Sequence, residues 1–301
     1  MSQPLPERCA ICGGDQLCRL PYPGRADALR LKAICVCSEC GTGCAVPAPD
    51  QETLDRFYAS GAYWHASTGQ AQRAHEASQA WLRVDRVRRL VPRRALAVAD
   101  IGAGHGGIAR ALTARGVDVS RYAFVEPDER AAADINALRL PFAVERFASL
   151  RELRGPFDLL FLNHVLEHVA EPLVFLRQAA ALLSTDGILY VETPYADYRF
   201  KQDVFPHVFF FTPRSLTLLG DQLGARTLTC ESFGRMPAPR WSPIGFVQRL
   251  AGRALPRVQN GGLQRLLDRV IWRYTPCDDG IWLRWIFSSG QARQPPGTNA
   301  R

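Results

Sequence analysis

The sequence predicts an α/β protein: a doubly wound, mostly parallel sheet of seven strands behind a small N-terminal cysteine module. Three observations carry this. Residues 96–101 form an apolar run that breaks into Asp100-Ile101-Gly102-Ala103-Gly104-His105-Gly106-Gly107, a buried strand entering a glycine-rich turn. Strand-like and helix-like segments then alternate to residue 194, as in parallel sheets with crossover helices. Seven of the nine cysteines fall before residue 45, which in a chain without an export pattern reads as metal binding before disulfides.

The 301 residues suffice for one large domain and a small one, and 47% apolar with 22% charged residues is ordinary for a globular protein. The formal charge of +8 would suit a nucleic-acid partner, but the basic residues are not interleaved with a base-stacking motif, so none is expected. No apolar run approaches the roughly 20 residues of a membrane span. The N-terminus lacks a signal peptide's apolar core, and a cytoplasmic location is expected.

Residues 1–48 are read as the metal module. Cys9-x-x-Cys12 and Cys37-x-x-Cys40 are each followed by glycine, Gly13 and Gly41. Each knuckle aims two thiolates at one ion, and two knuckles form a closed, zinc-ribbon-like tetrahedral site for structural Zn2+. Cys35 and Cys44 compete as ligands, and Cys18 is the weakest candidate. Residues 49–94 read as a linker with helices. A short one covers 51–58, Tyr63 and Trp64 mark a turn, and 80–91 is one-faced and amphipathic until Pro92. His65 and His75 have no partner pattern.

The main domain is assigned to 95–290. After the strand at 96–101 a helix covers 108–115. The second strand, 122–127, ends in Glu126, placed where a nucleotide-binding βαβ unit puts the acid that grips ribose hydroxyls. An alanine-rich helix (128–140) and a short third strand (142–146) follow. The fourth strand, 157–163, passes into Asn163-His164-Val165-Leu166-Glu167-His168. A helix over 172–183, a turn at 185–187 and a fifth strand at 188–194 complete the parallel part. Ligands in such sheets sit at the carboxyl ends of strands, so Asp100, Gly102, Ala103, Gly104, Gly106, Glu126, Asn163, His164 and the stretch Glu192 to Pro194 converge on one crevice.

On these residues, 95–225 resemble a class I S-adenosylmethionine-dependent methyltransferase. Asp100-Ile-Gly102-Ala-Gly104-His-Gly106 matches that family's nucleotide motif, and Val125-Glu126-Pro127 its ribose-binding acid. The stretch from Phe157 through Glu167-His168 to Glu192-Thr193-Pro194 resembles members that modify small molecules and sugars, and His207 to Leu216 extends the match. Relatives with a zinc-binding module, sugar C-methyltransferases among them, share the paired Cys-x-x-Cys-Gly knuckles. The resemblance implies a Rossmann-like sheet, S-adenosyl-L-methionine as cofactor, and O- or C-methylation of a small-molecule or sugar-type acceptor. One departure concerns adenine: the family often has an acid after the third strand, where this chain reads Glu145-Arg146-Phe147-Ala148.

The last third should supply strands six (226–234) and seven (280–287) around an insertion, 235–279, rich in arginine. It reads either as a basic lid over the crevice, as amphipathic helices packing on the sheet or a second copy, or as a peripheral membrane contact through 240–275. Oligomeric state stays open. Residues 291–301 form a polar tail expected to be disordered. Candidate general bases are His164, His168 and His207, with Glu167 behind them and His164 first. The competing readings are an RNA methyltransferase with a zinc module, a nicotinamide-dependent oxidoreductase, and a non-catalytic zinc-bearing interaction protein.

Overall fold

The computed structural model describes residues 4–24, 28–61, 70–91, 95–234, 243, 276–278 and 280–288, with only the backbone of 70–78. In chain order the strands are β1 (Leu17–Pro21), β2 (Ala33–Cys37), β3 (Gly43–Val46), β4 (Leu96–Ile101), β5 (Val119–Val125), β6 (Val144–Phe147), β7 (Phe157–Asn163), β8 (Leu183–Pro194), β9 (Phe209–Phe210), β10 (Arg226–Phe233) and β11 (Trp282–Ser288). The helices are α1 (Gln51–Ala59), α2 (Gln70–Val87), α3 (Gly107–Ala114), α4 (Glu129–Asn136), α5 (Pro172–Ala180) and α6 (Pro213–Leu223).

Seven strands form the main sheet in the order β10-β11-β8-β7-β4-β5-β6. Five pair in parallel, and β11 runs antiparallel between β8 and β10. Strand order reverses beside β4: the chain moves outward to β5 and β6, then returns to place β7 on the other flank. That switch point opens a crevice at the carboxyl ends of β4 and β7. Alternation along the central strands divides the core in two. Ala99, Ile101, Leu160, Leu162 and Leu189 face α5 and α6, while Val98, Leu159, Phe161 and Tyr190 face α2, α3 and α4. Strands buried on both faces explain the near-continuous apolar runs in the sequence.

Helix ends follow local chemistry. Asp128 caps α4 by accepting from the amides of Arg130 and Ala131 at 2.8 and 2.9 Å. Thr212 and Ser215 form a capping box on α6, with Pro213 in its first turn. Several expected boundaries move. The helix expected at 80–91 begins ten residues earlier, at Gln70, because 70–79 is helix-favouring without an apolar stripe. The turn expected at 185–187 lies inside β8. Pairing jumps there from Phe157 with Leu183 to Leu159 with Ile188, and Asp186 takes φ +63°. The strand therefore bulges rather than breaks.

The N-terminal strands form a second sheet in the order β1-β2-β3-β9. Its fourth strand comes from the region between β8 and α6, over 160 residues away in sequence. Module residues Ile11, Tyr22, Ile34 and Ala45 accordingly share a core with Leu160, Phe210 and Leu216. Tyr63, Trp64, His65 and the tail 291–301 lie outside the described residues, as does nearly all of the 235–279 insertion; of His75 only the backbone is described. Among the described residues no helix is long and apolar enough to cross a membrane.

Candidate active site and metal centre

A cleft of about 1520 Å³ opens at the switch point. The turn after β4 forms its floor: Gly102 and Gly104 take φ +70° and +52°, and Gly106 caps α3 at φ +78°. A Cβ on Gly102 would lie 2.4 Å from Cγ2 of Val165, so only glycine lets the turn pass beneath the residues following β7. Asp100 lies buried under this turn and accepts a 2.8 Å hydrogen bond from the Tyr122 hydroxyl. Burial pushes its carboxyl up to about 7, against the pull of Tyr122 and Arg83.

Glu126, at the end of β5, is held by the backbone on both oxygens. Oε2 accepts from Gly104 N at 2.8 Å and Oε1 from Asp128 N at 3.0 Å. Burial raises its pKa, opposed by those two bonds. A carboxylate oxygen can accept twice, so the arrangement fixes an acid at the cleft wall with acceptor capacity to spare. Beyond β6 the wall is lined by Ala148, Ser149, Leu150 and Arg151, none of them an acid. Asn163 lines the cleft too, and its buried Oδ1 has no hydrogen-bond partner among the described residues.

His164, His168 and His207 all line the same cleft, but their environments differ. His164 sits just past β7 with φ +54°, its ring between two buried carboxylates: Nδ1 is 3.3 Å from Glu167 Oε1 and Nε2 3.4 Å from Glu192 Oε1. Burial works against its charge, yet the two acids win and push its pKa up to about 9. His168 behaves in the opposite way. Burial drives its pKa down to about 3, and Nδ1 bonds the Tyr58 hydroxyl at 2.7 Å. His207 stacks edge-on against His168, with ring centres 4.9 Å apart. Its Nδ1 faces Asp197, 3.4 Å from Oδ1 and 3.2 Å from Oδ2. Asp197 is buried, yet His207 and Lys201 draw its pKa down to about 2. Nε2 of His207 is left at the opposite edge of the ring.

A buried polar network backs the cleft. Glu192 is fully buried and bonded by Arg83 of α2, whose Nε lies 3.1 Å from Oε2, and by the Tyr190 hydroxyl at 2.6 Å. Tyr190 in turn accepts from Arg284 Nε at 2.9 Å, and Arg284 donates to Glu231 at 2.7 Å. Arg83, Tyr58 and Asp197 carry no motif. Only the acid at the end of the fifth strand offered a signal.

The second constellation is the cysteine set. The sulfurs of Cys9, Cys12, Cys37 and Cys40 lie within 4.8 Å of one another. Cys9 is 3.6 Å from Cys40 and Cys12 3.5 Å from Cys37, near the roughly 3.8 Å edge of a tetrahedron with 2.3 Å zinc–sulfur bonds. Gly13 and Gly41 adopt φ +75° and +76° to turn each knuckle. None of the nine cysteines forms a disulfide. Cys35 and Cys44 oppose one another across β2 and β3, outside the four-sulfur set, and Cys18 is exposed. Four thiolates at this spacing fit a structural zinc ion.

The sheet order, the glycine turn and the acid after β5 define a class I S-adenosylmethionine-dependent methyltransferase. A family described as a methyltransferase domain matches residues 70–229, just over half of the chain, and the chain belongs to it. That membership removes the nicotinamide reading of the turn. The ubiquinone biosynthesis O-methyltransferase of Xanthomonas campestris pv. campestris (strain B100) is 29% identical over 148 residues, covering 48% of this chain and 61% of the relative. The protein of that name from Caulobacter vibrioides is 34% identical over 108 residues, covering 34% and 42%. The chain thus spans about three-fifths of the length of the first relative and less of the second. Among solved structures, the [4+2]-cyclase SpnF aligns with a TM-score of 0.51 at 14% identity, covering 81% of this chain and 98% of that one. A chain from the complex between the Haloferax volcanii Trm112 methyltransferase activator and the putative methyltransferase aligns at 0.50 with 14% identity, covering 75% and 96%. At such identities the likeness concerns the fold alone.

Proposed function

We propose that this methyltransferase modifies a hydroxyl of a small-molecule or sugar-type acceptor, with His207 as proton acceptor and Asp197 behind it. The name of the ubiquinone biosynthesis relatives favours O-methylation of a small molecule. Residues 1–48 act as a zinc-stabilised module on Cys9, Cys12, Cys37 and Cys40, and 95–290 as the catalytic domain. Bound S-adenosylmethionine supplies an activated methyl group on a sulfonium sulfur. Asp100, Gly102, Ala103, Gly104 and Gly106 would hold its methionine part, Glu126 the ribose, and Asn163 with His164 the edge towards the acceptor. Ala148 and Leu150 would meet the adenine with apolar and backbone contacts in place of an acid.

One observation carries the assignment of roles: the three histidines occupy different charge environments in one cleft. His164 stays protonated near neutral pH between Glu167 and Glu192, so it serves as a fixed donor and not as the base. His168 is neutral and tied to Tyr58. His207 has an aspartate on Nδ1, which fixes the tautomer and leaves Nε2 to take a proton. His207→Ala should lower methyl transfer by about 10²-fold or more while S-adenosylhomocysteine still binds, measured by calorimetry and labelled-methyl incorporation. Wild-type turnover in that variant rejects the role.

A second reading has its own observation. Ligand atoms of Glu167, His168 and His207 lie within 4.8 Å of one another, and each histidine has a second partner on Nδ1, as metal-binding imidazoles do. A divalent cation there would polarise the acceptor hydroxyl. Activity lost on mild chelation and regained with Mg2+ or Mn2+, at constant zinc content, would favour it. Activity indifferent to chelation leaves His207 as the base.

A further inference from the structure

The cysteine module reaches His207 by a short path of backbone and side-chain bonds. Strand β9 has only two residues, and its partner is β3 of the module, with Cys44 opposite Phe209 and Gly43 opposite Phe210. One residue earlier, the Val208 carbonyl accepts from Ala45 N at 2.8 Å, while Val208 N donates to the Glu167 carbonyl at 2.8 Å. The residue after His207 is thus clamped between the module and the turn bearing Glu167 and His168. The carbonyl of His207 itself accepts from the buried Tyr22 hydroxyl at 2.8 Å. At the far end, Thr212 Oγ1 donates to the Cys40 carbonyl at 2.7 Å. Gly41 packs so closely there that a Cβ would lie 2.9 Å from Cγ2 of Thr212.

We propose that the cysteine module is a positioning element of the active site. Through Tyr22, Ala45 and Cys40 it fixes the segment 207–212 and thereby sets the imidazole of His207 against Asp197. The proposal rests on the reading of His207 as proton acceptor and of the four cysteines as zinc ligands. A two-residue strand has no independent stability, so the order of this segment is borrowed from its partners. One of those partners is a module of fewer than fifty residues that needs its ion to fold. Release of zinc loosens β3, and with it β9 and the base. Displacement of a reacting group by about 1 Å can cost about 10²-fold in rate. Tyr22 is not among the residues lining the cleft; its hydroxyl bonds the His207 main-chain carbonyl and lies within electrostatic reach of Asp197, so it touches the segment from outside. Tyr22→Phe removes that donor and keeps the edge-on ring contact with Phe210, 6.3 Å between centres.

Two measurements on the full-length, zinc-loaded enzyme test this. Hydrogen–deuterium exchange is followed before and after zinc removal, with S-adenosylhomocysteine present. Exchange should rise in 204–212 together with the module, while 96–108 and 157–163 stay protected. Tyr22→Phe, at full zinc content, should lower kcat about tenfold with the dissociation constant for S-adenosylhomocysteine unchanged. That loss should vanish in a His207→Ala background. Protection of 204–212 that survives opening of the module overturns the proposal, and so does a Tyr22→Phe enzyme with wild-type kcat. If chelation opens every segment at once, the Tyr22→Phe comparison decides. Should His207→Ala prove fully active, the catalytic reading fails, and exchange in 204–212 decides the anchoring alone.

Discussion

Asp100 shows how a single residue can serve a site and burden the fold. Its carboxyl is buried beneath the glycine turn and titrates near 7 instead of the usual 3.8. The folded chain therefore holds a proton that the unfolded chain has released. Stability from this group is greatest below the unfolded pKa and declines as pH rises towards 7, by on the order of 4 kcal/mol at most. Asp100→Asn keeps an acceptor for Tyr122 and removes the titration. Urea unfolding at pH 5 and pH 8 should show a steeper loss of stability in the wild type, and equal slopes would refute this account. Residues tied to local geometry, such as Gly102, Glu126 and the paired knuckles, were legible in the sequence because their chemistry depends on near neighbours. Arg83, Tyr58 and Asp197 were not. Arg83 meets Glu192 across 109 residues, and nothing in the amphipathic pattern of α2 distinguishes it from a solvated arginine. The charge of His164 was only half visible: Glu167 stands three residues on, but its second carboxylate, Glu192, comes from another strand.

Strand β8 ties these residues together at the scale of the element. Its buried Glu192 joins α2 through Arg83 and the cleft through His164, while Tyr190 links to Arg284 on β11 and so to Glu231 on β10. Glu192→Gln leaves Arg83 buried opposite an amide, and breaking such a pair costs about 3–5 kcal/mol. The pKa of His164, held near 9 by Glu167 and Glu192 together, should fall. Denaturation and histidine NMR measure the two effects, and a variant with unaltered stability would show that the pair is not structural. Element types followed from periodicity and apolar runs, whereas their ends did not. The expected turn at 185–187 became a bulge because β8 continues past it to pair Leu183 with Phe157. Such pairing is a tertiary outcome that turn-forming residues alone do not reveal.

At the scale of the whole molecule, alternation of strands and helices foretold the parallel sheet, and the switch point placed the cleft. The link between module and sheet was not foretold. Phe209 and Phe210 read as one more apolar pair, because nothing local marks them as partners of Gly43 and Cys44. Residues of the module and of the main sheet, from Ile11 to Phe287, share one continuous core.

That continuity has a practical result. A catalytic fragment started at residue 49 would present Phe209, Phe210 and Phe211 to water beside an unpaired strand edge, a template for association. Light scattering on this fragment should detect larger assemblies than the complete chain's own species. Adding a separately made, zinc-loaded 1–48 peptide should restore that species, since β3 supplies the missing edge in trans. A fragment that forms no larger assemblies without the peptide would mean that β9 needs no partner. Any truncation for crystallisation or screening is better placed elsewhere in the chain.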